Sequence, residues 1–177
     1  MNQVVKNIIR FIMFVLIQHY VLNQIPPLHQ FIIPYLYFLY ILWLPFSISR
    51  SALLFVAFLL GLALDYFTGT PGLHAAPCVL IAYIRPFLIN LLISQEGAEL
   101  NYAEPSIKSM GFAPYSFYVF MLTFIHHFYL VLIEWLQFGD ILYFLGKVTA
   151  TTGISLLLIF ISEMLFFRKQ KFRTNTA

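Results

Sequence analysis

The sequence predicts an all-α polytopic membrane protein with six transmembrane helices, built as a single integral membrane domain over residues 1–177. The first observation is composition: 61% of the residues are hydrophobic, only 10% are charged, and the mean hydropathy is +0.85. An ordinary soluble domain is about 25% charged, and a soluble chain of this size could not hide so much apolar surface. The second observation is that the apolar residues fall into runs of roughly 20, the length of helix that crosses a bilayer.

Six apolar runs are separated by polar or helix-breaking residues. The predicted helices cover residues 7–23, 30–46, 51–68, 74–93, 112–135 and 146–167. The breaks fall at Pro26 and Pro27, at 47–50, at 69–72, in the polar loop 94–111 and at 137–140. The second run contains Pro34 and Pro45, so we expect its helix to kink or to begin late. In a membrane, neighbouring helices can satisfy the backbone groups that such a break frees.

The first run is predicted to be a retained helix. Lys6 and Arg10 precede it, as basic residues precede the apolar part of a signal peptide, but no small residues typical of a cleavage site follow. The single cysteine, Cys78, lies in the fourth run and is predicted to be a buried thiol.

The lysines and arginines predict the orientation. With six crossings, one side of the membrane collects Lys6, Arg10, Arg50, Lys108, Arg168, Lys169, Lys171 and Arg173, and the other collects only Lys147. Because basic residues favour the cytoplasmic side, both termini are predicted to be cytoplasmic, and the turn at 69–72 is predicted at the outer face. The run at 168–173 also favours anionic lipid. The net charge of +3 is too small to indicate nucleic-acid binding.

Ionisable residues inside the predicted helices indicate function or helix pairing. His19, Asp65, His74 and Glu134 fall near the outer ends of four different helices. They predict either an outward-facing polar pocket or docking site, or four groups solvated separately in the headgroup region. The short side chain of Asp65 reaches water poorly, so we expect an amide of the following turn as its partner.

Arg85 is predicted to lie deeper, roughly 16 Å from the start of its helix. A charge at the bilayer centre costs about 2.5–3.5 kcal/mol on insertion scales, so the side chain should face the interior of the bundle. Three explanations stay open. Arg85 could pair with Asp65, it could bind the carbonyl freed by Pro86, or its helix could be short enough to leave it at the inner surface.

No catalytic, cofactor or metal site is predicted. His126 and His127 are neighbours, about 100° apart on a helix, and cannot both bind one metal well; they are expected to be satisfied in a helix interface. The pair Cys78 and His74 lacks a third group that would orient the base. A glycosidase-like carboxylate pair of Asp65 with Glu134 would require their helices to adjoin. Glu163 is expected to pair at the inner surface.

Small residues predict where helices approach each other closely. The pair Ala57 and Gly61 marks such a face on the third helix. Gly146, Ala150 and Gly153 mark one on the sixth.

The stretch LLGLALDYFTGTPGLHAAPCVLIAY, residues 59–83, resembles the signature region of the MreD family of rod-shape-determining membrane proteins. In that signature an apolar helix ends in Gly-Leu-x-x-Asp, a turn of the Ser/Thr-Gly-x-x-Gly type follows, and a second helix carries a tyrosine. The matching positions are Gly61, Leu62, Asp65, Thr68, Gly69, Pro71, Gly72 and Tyr83. The chain length, the six helices and the basic C-terminal end are also similar to this family.

The resemblance implies a non-enzymatic component of the cell-elongation machinery in the bacterial inner (cytoplasmic) membrane, which helps to maintain cell shape and organise peptidoglycan synthesis. The implied partner is an MreC-like bitopic protein, with a RodA-like glycosyltransferase, its transpeptidase and MreB nearby. The predicted structural or interaction residues are Gly61, Asp65, Gly69, Pro71, Gly72, His74 and Arg85. The implied fold is also similar to the substrate-binding subunits of energy-coupling-factor vitamin transporters, whose outward pocket makes them the alternative function.

Overall fold

The computed structural model describes residues 3–26, 33–93, 103–136 and 140–165. Within these ranges it contains helices and no strand. The helices are α1 (Gln3–Tyr20), α2 (Leu39–Leu42), α3 (Arg50–Thr68), α4 (Ala75–Leu92), α5 (Ile107–Met110), α6 (Phe112–Trp135) and α7 (Ile141–Leu165), with a 3₁₀ turn at Leu22–Gln24. Five of them, α1, α3, α4, α6 and α7, are long and apolar enough to cross a membrane. The described part of the chain is therefore all-helical and has the spanning helices of a polytopic membrane protein, as the composition predicts.

Most helix ends agree with the sequence pattern. α3, α4 and α6 begin and end within one residue of their predicted limits. α7 begins earlier than predicted, at Ile141, because the Asp140 carboxylate accepts the backbone N–H of Leu142 at 2.9 Å and so caps the helix. The basic run at 168–173 and the loop residues 94–102 lie outside the described residues.

The prediction of a continuous helix over residues 30–46 is wrong. The described part of this range, residues 33–46, contains only α2, preceded by a turn and by residues without regular secondary structure. Pro34 has no N–H, and Pro45 disfavours helical backbone at Leu44, so only the residues between the prolines can form a helical turn. We call residues 33–46 the core segment. All eight side chains from 37 to 44 are at most 5% exposed.

Side chains of α1 and α7 satisfy the backbone groups at the start of the core segment. The Gln18 side chain accepts the N–H of Leu36 at 2.8 Å and donates to the carbonyl of Pro34 at 3.1 Å. The Ser155 hydroxyl accepts the N–H of Tyr35 at 3.2 Å. These bonds take the place of the backbone hydrogen bonds that a regular helix would make here.

Side chains of α4 and α6 do the same at the other end of the segment. The Tyr118 hydroxyl donates to the carbonyl of Leu42 at 3.0 Å, and the Arg85 guanidinium donates to the carbonyl of Leu44. Irregular backbone is tolerated at membrane depth only where protein satisfies its polar groups, and these contacts meet that requirement.

The core segment runs antiparallel to α1. Gln18, near the end of α1, holds its start, whereas Trp43 lies 6.0 Å from the guanidinium of Arg10, near the start of α1. At the end of the segment, the N–H of Phe46 donates to the carbonyl of Ala103 at 3.0 Å. Hence α3 begins at the same end of the bundle as α1. We call this the N-terminal end, and the opposite one, which holds residues 69–74, the turn end.

The long helices pack in chain order around the core segment. α1 packs on α3, α3 on α4, α4 on α6 and α6 on α7. The ring of Phe38 stacks on His126 of α6, with centroids 4.4 Å apart, and the ring of Trp43 meets Phe14 of α1 at 5.7 Å. The segment is therefore the centre of the hydrophobic core.

Candidate functional site at the α3–α4 turn

Gly61 lets α3 and the start of α4 approach each other closely. A Cβ at this position would lie 2.3 Å from the Cα of Ala75 and 2.6 Å from the carbonyl oxygen of His74. Ala57, one turn earlier, is fully buried on the same face. The predicted close contact through Ala57 and Gly61 is thus confirmed. The one predicted through Gly153 is wrong, because that glycine is exposed with nothing within 4 Å of an added Cβ.

Asp65 is the centre of the turn that joins the two helices. Its side chain is 2% exposed. The carboxylate accepts three backbone N–H groups, from Gly72 at 3.0 Å, His74 at 2.8 Å and Ala75 at 3.1 Å. These are amides at the beginning of α4, which have no partner inside their own helix and carry the positive end of its dipole. The acid therefore caps α4 from the neighbouring helix, and the expectation of a turn amide as its partner is confirmed.

The glycines of the turn supply backbone conformations that other residues adopt with strain. Gly69 has φ 68° and ends α3 in the left-handed region, where its N–H donates to the carbonyl of Asp65. Gly72 has φ 86° and aims its own N–H at the Asp65 carboxylate. Both positions favour glycine because a Cβ is disfavoured at positive φ. The Thr68 and Thr70 hydroxyls, 2.6 Å apart, close the side of the turn.

The side chain of His74 is a fourth hydrogen-bond partner of the Asp65 carboxylate. Its Nδ1 lies 2.9 Å from Oδ1 of the carboxylate. Burial lowers the pKa of His74 below 6.5, and this outweighs the hydrogen bond and the charge of Asp65, which raise the pKa. Because the carboxylate only accepts hydrogen bonds, the imidazole donates its Nδ1–H to the acid. Since these donors occupy the carboxylate, the arrangement suits a rigid turn and leaves no acceptor aimed at a substrate.

A groove of about 580 Å³ opens beside this turn. Its walls are Thr70, Pro71, Gly72, Leu73, Ile133, Glu134, Tyr143 and Lys147. Across it, the ammonium of Lys147 lies 2.5 Å from the Glu134 carboxylate. Asp65, His74 and Glu134 of the predicted outer layer thus come to one end of the bundle. His19 also lies at the turn end but stacks on Phe67 at 4.9 Å and does not line the groove.

Arg85 does not pair with Asp65, which corrects the first of the three explanations. It is 2% exposed, donates from Nε to the Tyr118 hydroxyl at 3.0 Å, and binds the carbonyl of Leu44. The carbonyl it satisfies was freed by the core segment rather than by Pro86. α4 continues to Leu92, so the short-helix explanation is also wrong. Arg85 is a structural residue of the core and not part of the turn site.

Glu163, which was expected to pair at the inner surface, is half-buried near the end of α7. Its carboxylate accepts the indole N–H of Trp43 at 2.6 Å and the hydroxyl of Tyr115. The sequence offers a single signal for this, a carboxylate within an apolar run of α7. Gln18 holds the start of the core segment. The only sequence feature that could have identified it is an amide side chain within an apolar run.

The described residues contain no group of three His, Cys, Asp or Glu side chains that could hold a metal ion. His126 and His127 bond each other through their Nδ1 atoms at 3.0 Å, and His126 also bonds the Tyr37 hydroxyl at 2.9 Å.

Comparisons of the chain with protein-family models, with curated proteins and with solved structures return no match.

Proposed function

We propose that this chain is a non-enzymatic, MreD-like component of the bacterial cell-elongation machinery that binds an MreC-like bitopic protein in the inner membrane. The observation that supports the proposal is the coincidence of motif and geometry at the α3–α4 turn. The motif residues Gly61, Asp65, Gly69 and Gly72 each have a distinct physical role in one rigid turn. These roles support the MreD-like interpretation of the motif.

In this proposal the turn end faces the periplasm and both termini face the cytoplasm. The grouping of Lys6, Arg10 and Arg50 at the N-terminal end supports that orientation, since basic residues favour the cytoplasmic side. The turn then presents an outer surface to the periplasmic part of the partner, with the exposed ring of Tyr66 beside it. A RodA-like glycosyltransferase, its transpeptidase and MreB are the wider assembly.

The first test is co-purification in mild detergent. The wild-type chain should recover an MreC-like protein, and Asp65→Ala should reduce the recovery several-fold while the chain still inserts. Asp140→Ala is a matched control, because Asp140 also caps a helix but from an exposed position. Tyr66→Ala removes an exposed ring without touching the Asp65 bonds and reports on docking alone. Wild-type preparations without any MreC-like protein would count against the proposal, as would unchanged cell shape on depletion.

The outer groove favours one alternative, a substrate-binding subunit of a vitamin-type energy-coupling-factor transporter. A cavity of about 580 Å³ with a carboxylate and an ammonium has the size and polarity of a small-molecule site. This alternative requires saturable binding of a water-soluble vitamin that Lys147→Met weakens at least tenfold. Titration of the purified chain with a panel of such vitamins separates the two functions, since the MreD-like function requires no binding.

A further inference from the structure

Three polar atoms in the middle of the bundle are buried without a hydrogen-bond partner among the described residues. They are His127 Nε2 and Thr123 Oγ1 on α6 and Thr152 Oγ1 on α7. Thr123 and His127 are fully buried and Thr152 is 5% exposed. Buried polar groups in native proteins nearly always have a partner, so three such atoms in one region require an explanation.

The three residues lie at about one height along the bundle. Thr123 and His127 are four residues apart, on one face of α6. The two helices are antiparallel, since Tyr115 near the start of α6 contacts Glu163 near the end of α7. Counting from that contact at about 1.5 Å per residue, His127 lies roughly 18 Å along α6 and Thr152 roughly 16 Å along α7. Thr152 therefore lies at about the same height along the bundle as His127, and within one helical turn of the height of Thr123.

The core segment closes the third side. The ring of Tyr35 lies 5.7 Å from the ring of His127, and its backbone N–H donates to Ser155, one turn from Thr152. The region is thus enclosed by α6, α7 and the core segment, far from both ends of the bundle.

A chain of hydrogen bonds from Tyr37 through His126 determines whether His127 Nε2 is a donor or an acceptor. If the Tyr37 hydroxyl donates to His126 Nε2, then His126 donates from Nδ1 to His127 Nδ1, and His127 Nε2 carries a proton. If the chain runs the other way, His127 Nε2 is an acceptor. The two threonine hydroxyls can donate and accept. A ligand that both donates and accepts hydrogen bonds therefore fits either direction of the chain.

We propose that a buried water molecule binds between α6, α7 and the core segment, held by His127 Nε2, Thr123 Oγ1 and Thr152 Oγ1. Internal waters typically make about three bonds to polar groups that lack other partners. Water donates and accepts, so it serves either direction of the Tyr37–His126–His127 chain. The three described side chains that hold the site, two threonines and a histidine, include no carboxylate and no ammonium to favour an ion.

Paired valine substitutions in the full chain, in lipid nanodiscs, test the proposal by thermal unfolding. Thr123→Val and Thr152→Val keep the shape of the side chain and remove its hydroxyl. If water bridges them, each variant lowers Tm by several degrees, and the double variant lowers it by less than the sum because the same water is lost once. If the interface is dry, each substitution removes an unpaired polar group, so Tm equal to or above the wild-type value overturns the proposal.

Thr149→Val is the matched control. Thr149 lies on an exposed face of α7, and its hydroxyl bonds the carbonyls of its own helix at Leu145 and Gly146. Its Tm shift calibrates the loss of a threonine hydroxyl from α7 outside the proposed site.

A second measurement uses the wild-type chain and needs no variant to fold. In solid-state NMR of ¹⁵N-histidine protein in bilayers, polarisation from water protons should reach His127 Nε2. It should not reach His126, whose two ring nitrogens bond protein atoms. Absence of transfer to His127 would exclude the water, and His127→Phe assigns the signal.

Discussion

The α3–α4 turn and the core segment solve the same problem in opposite ways. Each places unpaired backbone groups inside an apolar bundle, where they are costly. In the turn, one carboxylate reaches amides at most ten positions away in the chain. In the core segment, the partners come from positions 16 to 120 residues away and from four different helices. The turn is thus stabilised locally, whereas the core segment depends on the assembled bundle.

The largest effect is expected at the start of the core segment. Gln18→Leu keeps the volume but leaves two N–H groups and a carbonyl of the segment unpaired. Each buried unsatisfied group costs about 1–3 kcal/mol, so we expect a loss of roughly 3 kcal/mol or more in reversible unfolding in mixed micelles. Gln24→Leu is the control, because Gln24 is exposed at the same end of the bundle. Equal stability of the two variants would show that the segment does not need Gln18.

A smaller effect is expected in the turn. Gly61→Ala adds one methyl group against the backbone of Ala75 and forces the helices apart, at a cost of about 1–3 kcal/mol. Gly153→Ala makes the same change on an exposed face of α7, where nothing lies within 4 Å, and should cost nothing. Unfolding of both variants under the same conditions checks the difference. A tolerated Gly61→Ala would show that the α3–α4 contact is looser than described.

A double-mutant cycle tests whether Arg85 and Tyr118 act as one unit. Arg85→Lys keeps the charge but cannot bind Tyr118 and the Leu44 carbonyl with the same planar geometry. Tyr118→Phe removes the hydroxyl that receives Arg85 and binds Leu42. The coupling energy between the two substitutions should be about 0.5–3 kcal/mol. Additive losses would mean that the two side chains hold the segment independently.

The smallest effect concerns the N-terminal end and depends on pH. Glu104 accepts Arg10 at 2.9 Å and Lys6 at 3.2 Å. Burial raises the pKa of Glu104, but the hydrogen bonds and charges of Arg10 and Lys6 outweigh it and bring the pKa below 4.5. A carboxyl whose pKa is lowered by folding stabilises fully above about pH 4.5, and this contribution is lost as pH falls through the folded pKa.

Tm measured from pH 7 down to pH 3 checks this expectation. The wild-type chain should lose stability more steeply below about pH 4.5 than Glu104→Gln, which lacks the titrating group. Parallel curves would show that the contact with α1 adds nothing.

The turn could be predicted from sequence because its signals are local. Asp65 falls at a helix end, Gly69 and Gly72 lie where positive φ is needed, and Gly61 lies one turn before the acid. Each of these residue types has a known structural preference, and all of the preferences indicate a tight turn between two closely packed helices. The partner of Asp65 was correctly expected among the turn amides for the same reason.

The core segment could not be predicted because its apolar composition is the same as that of a spanning helix. Pro34 and Pro45 indicate a disturbance but not its extent. Whether the chain between them is helical depends on Gln18, Arg85, Tyr118 and Ser155, and no local pattern connects these positions. Arg85 is an example: its side chain faces the interior as expected, but its partner is a carbonyl made available only by the irregular segment.

The long-range bonds of the core segment have a consequence for biosynthesis. Tyr35 and Trp43 emerge from the ribosome about 120 residues before Ser155 and Glu163, the groups that complete their hydrogen bonds. A nascent chain cannot bury the segment in lipid by itself, so we expect it to wait at the edge of the insertion machinery until α7 has been made. A chain truncated after residue 140 should accordingly be recognised by membrane quality control and degraded, even though most of its spanning helices are complete.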